Sequence, residues 1–409
     1  MNSVSIFTPT HNPIWLRECY DSIKDQDFLE WVIVPNNLKA PMPEFDDPRI
    51  KIKPAAVRTT HIGALKRYAC SQCKGDILLE LDHDDLLATN TIKRVRETFT
   101  EKPDVGFVYS NCANFSGDIQ PSKHYSETYG WRYRPFEYHG HKLEECRSQP
   151  PTPASISKVW FSANHVRAWR RPLYEAMGGH SSSLEVLDDQ DIVCRTFLAA
   201  PVYHLDECLY LYRYHDKMST FVPRLNQQIQ SGTLRIYDHY IRRLAITWAK
   251  RKNLPCLYLG GKYGCPEDCT SIDISEPSEI IADLKRKWPF NDNSVGVIIA
   301  DNFLEHLPDK LYTIKEIHRV LCHSGYLLSH TPSTDGRGAY QDPTHCSYYN
   351  ENSFLYYTHE DWAKWIDTPV RFQELRRYTT ARDQWGICYV VADLLALKEG
   401  LAPPGRVMI

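Results

Sequence analysis

The sequence predicts an α/β protein of two domains, each built on a mainly parallel sheet with helices on its faces. Three observations lead there. The first half alternates short apolar segments with segments of helical spacing. That alternation stops at a long amphipathic stretch beginning near Leu225 and resumes after it. At roughly 100–200 residues per domain, a chain of 409 residues has room for two cores.

The elements follow in order. "SVSIFTP" is a short apolar strand ending in turn residues. "IWLRECYDSI" carries Trp15, Cys19 and Ile23 at helical steps. "WVIVP" and "IKIKP" read as strands closed by proline. "HIGALKRYACSQC" is helical, "DILLEL" a buried strand, "TIKRVRETF" a helix and "VGFVYS" another strand. This βαβ rhythm calls for a parallel sheet. Residues 112–160, rich in Tyr, His, Pro and Gly, break the rhythm and read as a long irregular insert, the kind that often forms a binding loop. Leu234, Tyr237, Ile241, Leu244 and Trp248 then recur at steps of three and four, an amphipathic helix. It reads as a connector over residues 223–253, between domains 1–222 and 254–409. The second series runs "PCLYLGG", "SIDI", "SVGVIIAD", the helix "KLYTIKEIHRVL" and "GYLLSHTP". "RFQELRRY" and "ICYVVADLLAL" add two more strands.

Composition bounds the function. Hydrophobic residues make up 42% and charged residues 24%, an ordinary globular balance. A formal net charge of −3 gives no field favouring nucleic acid or an anionic membrane. The start lacks a basic n-region, so no signal peptide is expected, and no stretch approaches the ~20 apolar residues of a membrane span. The 13 cysteines are scattered, which with no signal points to free thiols and a cytoplasmic location. Cys70 with Cys73, and Cys265 with Cys269, have metal-type spacing, but a zinc site would need both pairs to converge. The 25 Tyr and 10 Trp suit sugar and nucleoside faces as well as core packing.

The stretch "LLELDHDDLL" carries the chemistry. Asp82, Asp84 and Asp85 repel one another, and the strand before them delivers them to the carboxyl edge of a sheet, where α/β proteins bind ligands. A divalent cation among them, shared with a diphosphate, relieves the repulsion. A helix cap by Asp85 or Thr89 explains one carboxylate but not three.

With "SIFTPTHN" ahead of it, this Asp-x-Asp-Asp resembles the family-2 glycosyltransferases of the GT-A fold, a Rossmann-like nucleotide-sugar-binding sheet. "GALKRYACSQCKGDILLELDHDD", "LEVLDDQDIVCR" and "LYLYRYHDKMS" extend the resemblance over residues 1 to about 222. It implies that Thr8, Pro9 and Thr10 line the nucleotide with Lys66, and that Asp82 meets the ribose or uracil side. Asp84, with His215, would coordinate Mn²⁺ or Mg²⁺, although a surface His after a strand is an equally ordinary reading of His215. Asp189 would be the general base of an inverting transfer. The region of Asn164, His165 and Arg167 would face the acceptor, or else be a solvated loop around a packed Trp. Asn36 or Asn37 stands where members often carry an acid, which leaves the base of a UDP- or dTDP-sugar open.

The later stretch "LYLGGKYGCPEDCTSIDIS", with "FLEHL" and "GYLLSHTPS" after it, is similar to class I S-adenosylmethionine-dependent methyltransferases, again a Rossmann-like sheet. The similarity is close over residues 255–335. It implies cofactor contacts from Gly260, Gly261, Asp273 and Asp283. His306 and His345 are candidate bases, with packing roles as the alternative. Tyr258 replaces the usual acid of the first strand, and the glycine spacing is irregular. The expectation is a bifunctional enzyme of glycan assembly: a sugar, rhamnose by resemblance, is transferred to a glycan acceptor, and a sugar hydroxyl is O-methylated. The alternatives are a glycosyltransferase whose second domain only binds, and a carbohydrate-binding module, which would not need three clustered carboxylates.

Overall fold

The computed structural model describes residues 2–55, 58–122, 125–127, 130–158, 162–216, 218, 221–261 and 263–400. The chain divides into two compact units, one running to Ile241 and the other from Arg242. Among the described residues no helix is long and apolar enough to cross a membrane.

The first unit centres on Val4–Thr10, buried at every position because helices cover both faces of its sheet. It pairs in parallel with Glu30–Pro35 on one side and Ile77–Glu80 on the other. Ile50–Ile52 extends the sheet beyond Glu30–Pro35. Leu16–Ile23 lays Leu16, Cys19 and Ile23 on the sheet; Cys19 and Ile23 are as the spacing predicts, while Leu16 takes the place expected of Trp15, which is only partly buried in the turn before the helix. Beyond Ile77–Glu80 the sheet turns mixed. Arg167–Arg170 runs antiparallel between Ile77–Glu80 and Phe107–Ser116, and Phe107–Ser116 pairs in parallel with Val202–Arg213.

Two expectations change here. The stretch around Arg167 is neither a solvated loop nor an open surface. It is a central strand with Arg167, Ala168 and Trp169 buried. The insert over 112–160 is not irregular throughout. It contains the hairpin Arg132–Tyr138 and His141–Arg147, which pairs back onto Phe107–Ser116, and the helix Pro153–Lys158. Gly140 at φ +83° closes that hairpin.

The long helix runs Pro223–Arg251. Its buried stripe is Tyr237, Ile241, Leu244, Ala245 and Ala249, while Leu234 is half exposed.

In the second unit the strand order is Ile280–Ile281, Thr270–Asp273, Cys256–Leu259, Val295–Asp301, Leu321–Pro332, Tyr389–Leu397, Arg371–Thr379. The first five are parallel and Tyr389–Leu397 is antiparallel to its neighbours. The order reverses between Cys256–Leu259 and Val295–Asp301, the switch point where such sheets bind ligands. Lys310–Val320 is the expected crossover helix, capped by the Asp309 carboxylate on the Tyr312 N–H. No helix joins Cys256–Leu259 to Thr270–Asp273 among the described residues. Gly260, Gly261 and Gly264 sit at φ +101°, +95° and +82°, which no right-handed helix accepts.

Candidate active sites

Ile77–Glu80 ends level with Phe7, and the chain enters a turn that holds Asp82, Asp84 and Asp85 at the carboxyl edge of the sheet. The three carboxylates meet three environments. Asp85 is 1% exposed. It accepts from the Tyr210 hydroxyl at 2.8 Å and the Arg213 backbone N–H at 2.7 Å. Burial and the neighbouring charges of Asp84 and Asp82 push its carboxyl well up. It anchors the turn to the strand Val202–Arg213 and caps no helix. Tyr210 completes the anchor by accepting from the Asp82 N–H at 3.1 Å.

Asp84 is partly exposed, with Oδ2 2.9 Å from His215 Nε2. Burial would raise its carboxyl, but the hydrogen bond to His215 and the nearby His83 outweigh that and hold it low. His215 lies against Trp15, ring centroids 4.8 Å apart. A cavity of about 490 Å³ opens there, lined by Trp15, Glu18, Arg213, Tyr214 and His215 among others. The Asp84 and His215 donors come from a turn and from just beyond a strand end. This donor set fits a divalent cation that takes its other ligands from a diphosphate.

Behind the turn lies a charged cluster whose pairing the sequence did not reveal. Lys66 is buried and ion-paired with Glu80, and its Nζ is 3.7 Å from Asp188 Oδ2. Burial works against its charge, but Asp188, Glu80 and Asp82 more than offset it and hold the ammonium well above its usual range. Asp188 and Asp189 open the helix Asp188–Ala199, after Leu187 in a left-handed conformation at φ +64°. Their environments differ. Asp188 is 3% exposed, and burial pushes its carboxyl up to about 7 despite Lys66. Asp189 is about one-third exposed and accepts from Arg167 Nη1 at 2.8 Å. There burial is outweighed by Arg167 and Lys66, and its carboxyl falls to about 2. Arg167 is itself oriented by Nε donating to the Ala163 carbonyl at 2.7 Å.

The other expected residues take supporting positions. The Thr8 hydroxyl is buried, donating to the Leu81 carbonyl at 2.6 Å and accepting from Trp31 at 2.8 Å. It supports the acidic turn from inside. Pro9 is also buried, and Thr10 is buried with its hydroxyl unpartnered among the described residues. The Asn36 amide donates to the Thr59 carbonyl at 2.8 Å, so it holds a loop. Asn164 points inward, donating to Cys112 Sγ at 2.9 Å. His165 is buried, stacks on Tyr210 and lies 3.6 Å from Asp82 Oδ2. Asn164, His165 and Arg167 thus form a buried wall behind the carboxylates. Glu80, Asp188, Tyr210 and Arg213 are the site residues that sequence reasoning missed. Asp188, adjacent to Asp189 in an acidic run, carried a visible signal.

In the second unit the glycine turn stands at the switch point. The backbone N–H groups of Gly260 and Gly261 both donate to the Ile272 carbonyl, at 3.0 and 3.3 Å. A Cβ on Gly261 would lie 3.7 Å from Asp273 Oδ2, so the turn and the carboxylate adjoin. Asp273 accepts from the Ser275 N–H at 3.2 Å, and Asp283 from the Lys285 N–H at 3.1 Å. His306 and His345 come together, ring centroids 5.0 Å apart. A cavity of about 510 Å³ is lined by Arg337, Tyr340, Arg382 and Trp385 among others. Tyr340 and Trp385 are each more than half exposed.

Residues 5–161 match the family model of glycosyl transferase family 2, and residues 254–329 match the model of a methyltransferase domain. Among solved structures the chain is similar to S. aureus TarS 1–349, at 15% identity over 59% of this chain and 71% of that one, TM-score 0.40. It is also similar to TarS 1–349 in complex with UDP-GlcNAc, at 14% identity over 59% and 72%, TM-score 0.41. A third is the mannosyltransferase PcManGT from Pyrobaculum calidifontis in complex with GDP-Man and Mn²⁺, at 15% identity over 61% and 75%, TM-score 0.38. No curated protein matches. The chain is an enzyme that carries a family 2 glycosyltransferase domain followed by a methyltransferase domain.

Proposed function

We propose that the first domain transfers a sugar from a UDP- or dTDP-sugar to a glycan hydroxyl with inversion, and that the second O-methylates a sugar using S-adenosylmethionine. One observation carries the first part. Of the two adjacent acids at the head of the helix Asp188–Ala199, only Asp189 is accessible, and Arg167 keeps it ionised. An ionised carboxylate held in one orientation is free to accept a proton from an acceptor hydroxyl. It takes the proton of the acceptor hydroxyl while that oxygen attacks the anomeric carbon opposite the departing diphosphate, which inverts the centre. A divalent cation held by Asp84 and His215 would neutralise charge on the leaving diphosphate. Among donors, a deoxyhexose such as rhamnose is our first choice, from the sequence resemblance alone.

Support for the second part is the adjacency of the glycine turn and Asp273, whose carboxylate can accept from ribose hydroxyls. The exposed Tyr340 and Trp385 beside Arg337 and Arg382 offer apolar faces and donors of the kind that grip a sugar. The helix-free glycine loop favours a second reading, in which this domain binds acceptor without methylating it.

A thermal-shift panel of nucleotide sugars, with and without Mn²⁺, and of S-adenosylmethionine tests both parts, since a ligand of the folded state raises apparent stability. A UDP- or dTDP-sugar should shift the transition only with Mn²⁺, and S-adenosylmethionine should shift it alone. No shift with any nucleotide sugar would contradict the first part. No shift with S-adenosylmethionine would leave the binding role.

A further inference from the structure

Glu305 is 1% exposed, and neither of its carboxylate oxygens has a hydrogen-bond partner among the described residues. A buried carboxylate without partners is costly, and native proteins rarely leave one so. Two imidazoles face it. His345 Nε2 is 3.8 Å from Glu305 Oε1, too long for a hydrogen bond. One ligand atom from each of Glu305, His306 and His345 lies within 4.8 Å of the other two.

The surroundings hold this arrangement from outside. His345 Nδ1 is 3.1 Å from the Ala339 carbonyl, which can only accept. Nδ1 therefore carries a proton, which leaves Nε2, the nitrogen nearer Glu305, as the atom that can ligate a cation. His306 Nδ1 is 3.1 Å from Thr344 Oγ1, whose own proton goes to Asp342 Oδ1 at 2.7 Å. The Glu305 carbonyl accepts from the N–H groups of Cys346 and Ser347, each at 2.9 Å, which ties the His345 loop to the Leu304–His306 turn. Histidines braced by backbone carbonyl and hydroxyl groups are the usual outer shell of a metal site.

We propose that Glu305, His306 and His345 bind a divalent first-row transition cation, zinc being the best match. Two imidazoles and one carboxylate suit zinc, cobalt or manganese better than magnesium or calcium, which prefer oxygen throughout. Three protein ligands leave a further position for an oxygen ligand, a water or an acceptor hydroxyl. The turn lies at the carboxyl end of Val295–Asp301. Phe303 packs where a Cβ on Gly260 would be, 3.0 Å away, so the cation site adjoins the glycine turn. Cation binding here does not depend on methyl transfer.

The test uses the full chain carrying Asp84→Ala, which removes the cation pair of the first domain. Metal-free protein is titrated with Co²⁺ and watched for visible d–d absorption, then challenged with Zn²⁺. The expected result is about one equivalent of Co²⁺ bound per chain, displaced by Zn²⁺. Glu305→Gln and His345→Ala in that background should each weaken Co²⁺ binding at least about 10-fold. Circular dichroism of the metal-free variants checks folding, and the near-isosteric Glu305→Gln decides if His345→Ala does not fold. No absorption band in Asp84→Ala protein, or a band unchanged by folded Glu305→Gln, overturns the site.

Discussion

Arg167 Nη1 stands 2.8 Å from Asp189 Oδ2, joining a central strand of the sheet to the first turn of the helix that presents the proposed base. The guanidinium is buried and the carboxylate is partly exposed, so the pair sets both where Asp189 points and how firmly it stays ionised. Its carboxyl sits at about 2, where burial would raise it and Arg167 outweighs that.

Arg167→Met therefore releases Asp189 toward a higher pKa, by about 1–3 units for loss of an adjacent guanidinium. The acidic limb of the pH–rate profile for sugar transfer should move up by that amount, with kcat falling more than KM rises. Arg167→Lys should restore part of the shift, since it keeps the charge and loses the fork. An unmoved acidic limb in both variants would mean that Arg167 only packs.

Asp84→Ala should abolish Mn²⁺-dependent donor binding, read by calorimetry. The metal-free variant should stay folded but be somewhat less stable than wild type at neutral pH, because His215 and His83 favour the ionised carboxylate that is lost. Donor binding that stays metal-dependent at wild-type affinity would reassign the cation.

Asp188 predicts a pH effect on stability. Its carboxyl keeps a proton up to about 7 in the folded protein, against 3.8 for the ordinary group. Between those values the folded state binds the extra proton, so this group's contribution is full below about 4 and is lost as pH rises to about 7. Asp188→Asn cannot titrate and should flatten the fall in stability across that window, by at most about 1.4 kcal/mol per pH unit. Denaturant midpoints at pH 4.5, 6 and 7.5 measure it. An unchanged slope would place Asp188 outside the linkage.

Asp273→Ala should weaken S-adenosylmethionine binding by about 1.5–3 kcal/mol, the worth of hydrogen bonds to a charged group. Sugar transfer, which uses the first domain's residues, should be unchanged. Equal calorimetric affinity in the variant would remove Asp273 from the cofactor site.

These residues differ in how legible they were. Asp84 stood in a crowded acidic run that a helix cap explains only in part, Asp189 was picked out by the resemblance alone, and the strands around them announced themselves as apolar runs. Glu80 was hidden because "DILLEL" reads as a plain buried strand. Its partner Lys66, which the resemblance assigned to the nucleotide, lies on the helix Ile62–Gln72 and is buried against Glu80 instead. The strand Arg167–Arg170 was hidden by its arginines. Each finds its partner only in three dimensions: Arg167 on Asp189, Arg170 on the carbonyls of Val105 and Phe99. Leu234 fits a helical stripe yet faces outward, since spacing shows a face but not what covers it. The missing helix after Gly260 followed from three positive φ angles that glycine permits and a sequence only hints at.

Asp189→Asn keeps the shape of the proposed base for inverting sugar transfer and removes its basicity. Single-turnover transfer and calorimetric donor binding are measured on the same protein. If Asp189 is the base, donor affinity is unchanged and transfer is slower by roughly 10²–10⁴. Transfer at the wild-type rate, or donor binding lost along with transfer, would contradict that role.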